Sequence, residues 1–81
     1  MYYVYLLRSL ARPDKKYIGF TTNLNRRFHE HNCGKSPYTA RFVPWEIVAF
    51  VCFKDEEKAR RFEKYLKSGS GHAFAKRHFW E

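Results

Sequence analysis

Acidic side chains are scarce: eight Asp and Glu stand against 16 Lys and Arg in 81 residues. A pair of adjacent metal ions wants several converging carboxylates, and few acids are left for that. Glu56 and Glu57 already fall at what reads as the start of a helix, where the dipole favours them. Cysteine is scarcer still, with only Cys33 and Cys52. They form no C-x-x-C pair, and no second pair exists to complete a zinc site. Nothing forces a disulfide between them. Cys52 lies in an apolar run and is expected to be a buried, reduced thiol. No hydrophobic run approaches the length of a membrane span. The apolar start, Tyr2 to Leu7, is too short for a secretory leader and is interrupted by Arg8. A cytoplasmic setting with no membrane partner is the default expectation.

What is abundant is positive charge and aromatic surface. The formal net charge is +8. That excess favours a polyanionic partner, nucleic acid first and an anionic membrane surface second. Eight Phe, six Tyr and two Trp supply large rings, and most are expected in the core of a small domain. No linker, repeat or low-complexity segment divides the chain, so residues 1–81 are read as a single domain.

Residues 2–7, Tyr-Tyr-Val-Tyr-Leu-Leu, are apolar on both alternating faces. They predict a central strand covered on both sides. Pro13-Asp14 marks a turn, and residues 16–21 read as a second strand forming a hairpin with the first. Gly19 within it suggests a bulge or a close approach. Thr22 or Asn23 is the expected N-cap of a helix from Leu24 to His31, which Gly34 terminates. Residues 35–43 read as a basic, polar loop. Pro44 to Phe53 reads as a third strand, with Trp45, Ile47, Ala49, Val51 and Phe53 on one face and Val48, Phe50 and Cys52 on the other. Asp55 caps a second helix, whose buried stripe is Ala59, Phe62 and Leu66. Ser68-Gly69-Ser70-Gly71 reads as a break. A short third helix over 72–79 is expected to turn Ala73, Phe74 and either Arg77 or His78 inward. The result is an α/β (α+β) fold: a small three-stranded sheet, mixed or antiparallel, flanked by helices in the order β-β-α-β-α-α.

Tyr3-Val4-Tyr5, followed by Tyr17-Ile18-Gly19 on the next strand, resembles the paired motif of the GIY-YIG nucleases. The segment from Phe20 to Asn32 is similar to that family's helix, with Arg27 followed one turn later by His31. Phe62-Glu63-Lys64-Tyr65-Leu66-Lys67 resembles the segment that bears the family's metal-binding glutamate. The match runs through essentially the whole chain in order, and is closest to the short single-domain bacterial members. Tyr3 stands where the motif has its first glycine, although only the motif's tyrosine carries chemistry. Many members have an asparagine downstream of the glutamate. Here that stretch reads Ala75-Lys76-Arg77-His78, and no such role is carried over. The resemblance implies a metal-dependent endonuclease acting on DNA phosphodiester bonds, with Tyr5, Tyr17, Arg27, His31 and Glu63 as site residues and Glu63 holding Mg²⁺ or Mn²⁺.

The same residues suit that chemistry without the family. Phosphodiester hydrolysis needs a base for water and a positive group at the phosphorane. Arg27 and His31, four apart, share a helix face. A guanidinium fork matches phosphate oxygens, and a histidine moves protons near neutral pH. A tyrosine is a base only where cations lower its pKa. Glu63, beside Phe62, lies at the edge of the buried stripe. One carboxylate with waters and substrate phosphate makes an ordinary magnesium site. Taken singly, Glu63 equally suits an ion pair with Lys67, and His31 a satisfied helix-terminal histidine. The alternative function is a non-catalytic basic module that grips nucleic-acid backbone. Which tyrosine is the base, the DNA structure preferred, the pathway, and any homodimer or partner protein are left open at this level.

Overall fold

The computed structural model describes residues 1–81. The apolar run at the start of the chain forms β1 (Tyr2–Ser9), and residues Val4 to Leu7 are all buried. Such burial on both faces is what its unbroken apolar pattern implies. β2 (Lys16–Thr21) and β3 (Trp45–Phe53) flank it, giving the strand order β2-β1-β3 with both pairings antiparallel. Between β2 and β3 lie α1 (Leu24–Asn32) and a one-turn helix, α2 (Pro37–Ala40). After β3 come α3 (Glu56–Leu66), α4 (Gly69–Ala75) and a π-helical turn (Lys76–Trp80). No helix is long and apolar enough to cross a membrane.

Alternation along β1 divides the interior into two clusters, one on each face of the sheet. Val4 and Leu6 pack against Ala59, Leu66 and Ala75 of the α3–α4 layer, with Phe62, Phe74 and Trp80 around them. Tyr5 and Leu7 pack with Trp45 and with Leu24, Phe28 and Phe42 on the α1–α2 side. Fully burying a Leu is worth about 1.5–3 kcal/mol, so Leu6, Leu7 and Leu66 are main contributors.

β3 departs from the simple alternation expected of it. Leu6 stands opposite Ala49 but Leu7 stands opposite Ile47, which leaves Val48 without a β1 partner. One extra residue in a strand reverses which face each later side chain meets. Ala49 and Phe53 therefore join the α3–α4 core, whereas Trp45 and Ile47 join the α1–α2 core. The sequence pattern had put all four on one face. Cys52 also differs from expectation. It and Cys33 are free, exposed thiols, and Cys52 stands opposite Tyr3.

The caps behave as read. The Asn23 side chain accepts from Arg26 N at 3.1 Å, Asp55 accepts from Glu57 N at 2.8 Å, and Gly34 leaves α1 at φ 79°. The Ser-Gly-Ser-Gly stretch is not a break but a helix start, with Ser68 accepting from Gly71 N. A Cβ at Gly71 would overlap the Tyr65 carbonyl, so glycine is what lets α4 cross the end of α3. The earlier start rotates the inner face: Phe74 and Ala75 point in, whereas Ala73, Arg77 and His78 are exposed.

Candidate active site

The antiparallel register sets Tyr5 directly opposite Gly19, and Leu7 opposite Tyr17. Tyr5 and Tyr17 therefore share the sheet face covered by α1, with ring centroids 6.2 Å apart. A Cβ at Gly19 would overlap the end of the Tyr5 ring and press on that of Tyr17. Here the glycine is a close-approach residue rather than a bulge, since the β1–β2 register runs without interruption.

α1 delivers the next two residues. His31, one turn beyond Arg27, is fully buried, and its Nε2 lies 2.8 Å from the Tyr5 hydroxyl. Its other nitrogen, Nδ1, is 2.8 Å from Thr39 Oγ1, and Thr39 Oγ1 donates to the Ser36 carbonyl at 3.4 Å. This chain has one consistent direction. A carbonyl only accepts, so the Thr39 proton is committed to Ser36 and Thr39 oxygen receives Nδ1–H. A neutral imidazole then offers the Nε2 lone pair to the Tyr5 O–H. Burial, with the nearby Arg27 charge second, pushes His31 down to about 4, so it is neutral at pH 7. Tyr17 lies beside it with its ring tilted by 59° and ring centroids 4.9 Å apart.

Burial is also the main influence on Tyr5, pushed up to about 12, with Tyr17 adding to the rise and the Arg27 hydrogen bond and charge opposing it. Arg27 is only partly buried. It donates to Glu30 at 3.1 Å, and although burial opposes its charge, Glu30 and then Tyr5 hold it more firmly protonated than usual. Glu63 comes from the opposite layer on α3, and its charge is felt at Tyr5. Its side chain is about one-fifth exposed and receives a hydrogen bond from Lys67 at 3.0 Å. The ion pair that the spacing allowed is thus present.

Tyr5, Tyr17, Arg27 and His31 are thus brought together, and Glu63 stands in the opposite layer with its charge felt at Tyr5. Two more belong with them and were missed. Thr39 lies on a helix too short to show periodicity, and Glu30 gave no signal beyond its i,i+3 spacing from Arg27. Asn32 and Trp45 brace the region: Trp45 N donates to Asn32 Oδ1 at 2.7 Å, and the Trp45 indole donates to the Thr39 carbonyl at 2.8 Å. No group of three or more His, Cys, Asp or Glu side chains is clustered as a metal cage.

A buried hydroxyl–imidazole–hydroxyl chain beside an arginine and a carboxylate, on a three-stranded sheet, defines a catalytic domain built for phosphoryl chemistry. The GIY-YIG catalytic domain model matches residues 1–77, and the chain belongs to that family as a GIY-YIG nuclease domain. It is 38% identical over 84 residues to the structure-specific endonuclease subunit SLX1 of Debaryomyces hansenii, covering 95% of this chain and 23% of that protein. It thus spans less than a quarter of that relative's length. A UPF0213 protein of Haloquadratum walsbyi is 35% identical over 83% of this chain and 74% of its own. The solution NMR structure of a UPF0213 protein from Bacillus halodurans superposes with a TM-score of 0.53 at 33% identity, covering 91% of this chain and 81% of that one.

Proposed function

We propose that this domain is a metal-dependent endonuclease that hydrolyses DNA phosphodiester bonds at sites selected by DNA structure. The observation that carries this reading is the convergence of Tyr5, Tyr17, Arg27 and His31 on one sheet face, with the charge of Glu63 on α3 felt at Tyr5. The donor set suits Mg²⁺ or Mn²⁺. A single carboxylate, Glu63, would hold the ion, with waters and substrate phosphate completing the shell. When bound, the ion would stabilise charge developing on phosphate oxygens.

The side chains supply the rest. Arg27 offers a fork to the phosphate, held by Glu30 rather than free to sweep solvent. Tyr5 is the favoured base, because its own proton already has an acceptor 2.8 Å away, and Arg27 with a bound metal ion would supply the positive field that its raised pKa requires. As Tyr5 oxygen takes a proton from the attacking water, its original proton passes to His31 Nε2. Nδ1–H stays on Thr39 throughout. Tyr17 packs against this pair. Structure selection and a partner subunit are suggested by likeness to SLX1 proteins, which are named as structure-specific endonuclease subunits.

A purely binding role has one observation in its favour: Lys67 already occupies the Glu63 carboxylate. The deciding experiment incubates duplex, branched and single-stranded DNA with the protein in Mg²⁺, Mn²⁺ or EDTA, beside Glu63→Gln. Cleavage that requires metal and disappears in Glu63→Gln, with DNA binding retained, is expected. Binding without scission on every substrate would leave the basic binding module as the function.

A further inference from the structure

A second cleft, of about 690 Å³, opens on the other side of β2 between the sheet edge and the C-terminal helices. Arg8, Lys16, Lys67 and Lys76 line it, together with Trp80. Arg8 and Lys16 stand directly opposite each other across the β1–β2 pairing. Like charges in that position destabilise a sheet unless an anion lies between them. Neither makes an ion pair with an acid: Glu46, opposite Arg8 on the other strand, has no such contact with it. Arg8 instead donates to the Trp80 carbonyl at 2.6 Å, and both cations lie over the Trp80 ring, at 5.8 and 5.6 Å from its centroid. The π-helical turn that presents Trp80 is a wide, uncommon form often found at functional sites. The one carboxylate in the lining, Glu81, makes only a long, exposed pair with Lys76 at 3.9 Å.

We propose that this cleft binds the backbone of a single nucleic-acid strand leading away from the scissile phosphate. The inference rests on the nuclease reading, because the cleft meets the site at two points. Tyr17 belongs to both, and Lys67 in the cleft wall is the partner of Glu63. A positively charged groove beside an aromatic ring is the usual way to hold an unpaired strand. The volume matches a pocket for a ligand of a few hundred daltons, which accommodates a short stretch of one strand and not a duplex. An unpaired tail, as at a flap or fork, is the part of a DNA junction that fits.

The test uses the exposed pair Lys16→Glu with Lys76→Glu, neither of which touches the catalytic chain, and measures DNA binding in EDTA, where metal-dependent scission is suspended. The probes are a blunt duplex and the same duplex carrying a single-stranded tail. On tailed DNA, affinity is expected to fall about tenfold or more, and the slope of log K against log salt by about 1.4, at about 0.7 per lost phosphate contact on a single strand. On blunt DNA little change is expected. A control pair outside the cleft, Lys54→Glu with Lys58→Glu, alters net charge equally. Equal losses on both probes, equal losses from the control pair, or no loss at all would overturn the proposal. If the reversed pair melts early, Lys16→Gln with Lys76→Gln makes the same comparison. Absence of scission in Mg²⁺ by the unaltered protein would refute the nuclease reading and leave these binding results to decide the cleft on their own.

Discussion

Replacing Thr39 with valine removes one oxygen and almost no volume. Thr39 is fully buried, so no water takes the place of that oxygen. The His31 Nδ1–H that it receives at 2.8 Å is left without an acceptor. A stranded buried donor costs about 1–3 kcal/mol. The imidazole can escape that cost by moving its proton to Nε2, but Nε2 then points a hydrogen at the Tyr5 hydroxyl, which must turn its own proton elsewhere. Relief by that route removes the acceptor for the Tyr5 proton. Thr39→Val should therefore lower stability by about 1–3 kcal/mol in a denaturant titration and lower kcat by about tenfold or more, with KM for DNA little changed. Thr39→Ser, which keeps the oxygen, should restore most of kcat. Nitrogen NMR of His31 reports the tautomer directly: a protonated Nδ1 in the parent and a protonated Nε2, or a mixture, in the valine variant. An unaltered tautomer with unaltered kcat would refute the directed chain from Tyr5 to Ser36.

The depressed His31 pKa has a consequence for pH. The unfolded chain takes up a proton on this residue below about 6.5 and the folded chain only near 4, so stability is lost as pH falls through that window. The loss from this residue reaches at most about 3.5 kcal/mol, at about 1.4 kcal/mol per pH unit. Thermal melts from pH 7 to 4.5 should fall in the parent and flatten in His31→Gln, and equal slopes would show that His31 is not the source. Cleavage should likewise persist to about pH 5; an acid limb centred near 6.5 would mean that His31 titrates as an ordinary exposed histidine. Gly19→Ala should displace the Tyr5 ring, cost about 1–3 kcal/mol by overpacking, and depress cleavage more than its melting temperature explains.

The elements that were legible in the sequence carry strong local signals. β1 is apolar on both faces, Asn23 and Asp55 are good caps, and α3 has a clear stripe. The elements misread are those whose form depends on distant packing. Pro37 and the basic composition of residues 35–43 suggest a loop, yet Pro suits the first turn of a helix, and a single turn is too short for periodicity to reveal. The glycines at 69 and 71 are poor helix formers, and only the crossing over Tyr65 explains why one of them is required. For the site, residue types and order were readable through the motif. The bond between Tyr5 and His31 was not, since it joins residues 26 apart and needs the β1–β2 register to set Tyr5 over Gly19.

The irregularity at Val48 bears on which changes the chain tolerates over time. Because this one residue has no partner on β1, the strand supplies Trp45 and Ile47 to one core and Ala49 and Phe53 to the other. Conservative replacements along β3 keep that division. Losing or gaining one residue there does not, for it would exchange the destinations of every side chain on one side of the change, including the tryptophan that braces Thr39. On this strand length constrains the fold more strictly than composition does, although a strand at the edge of a sheet is ordinarily the most forgiving place for a change.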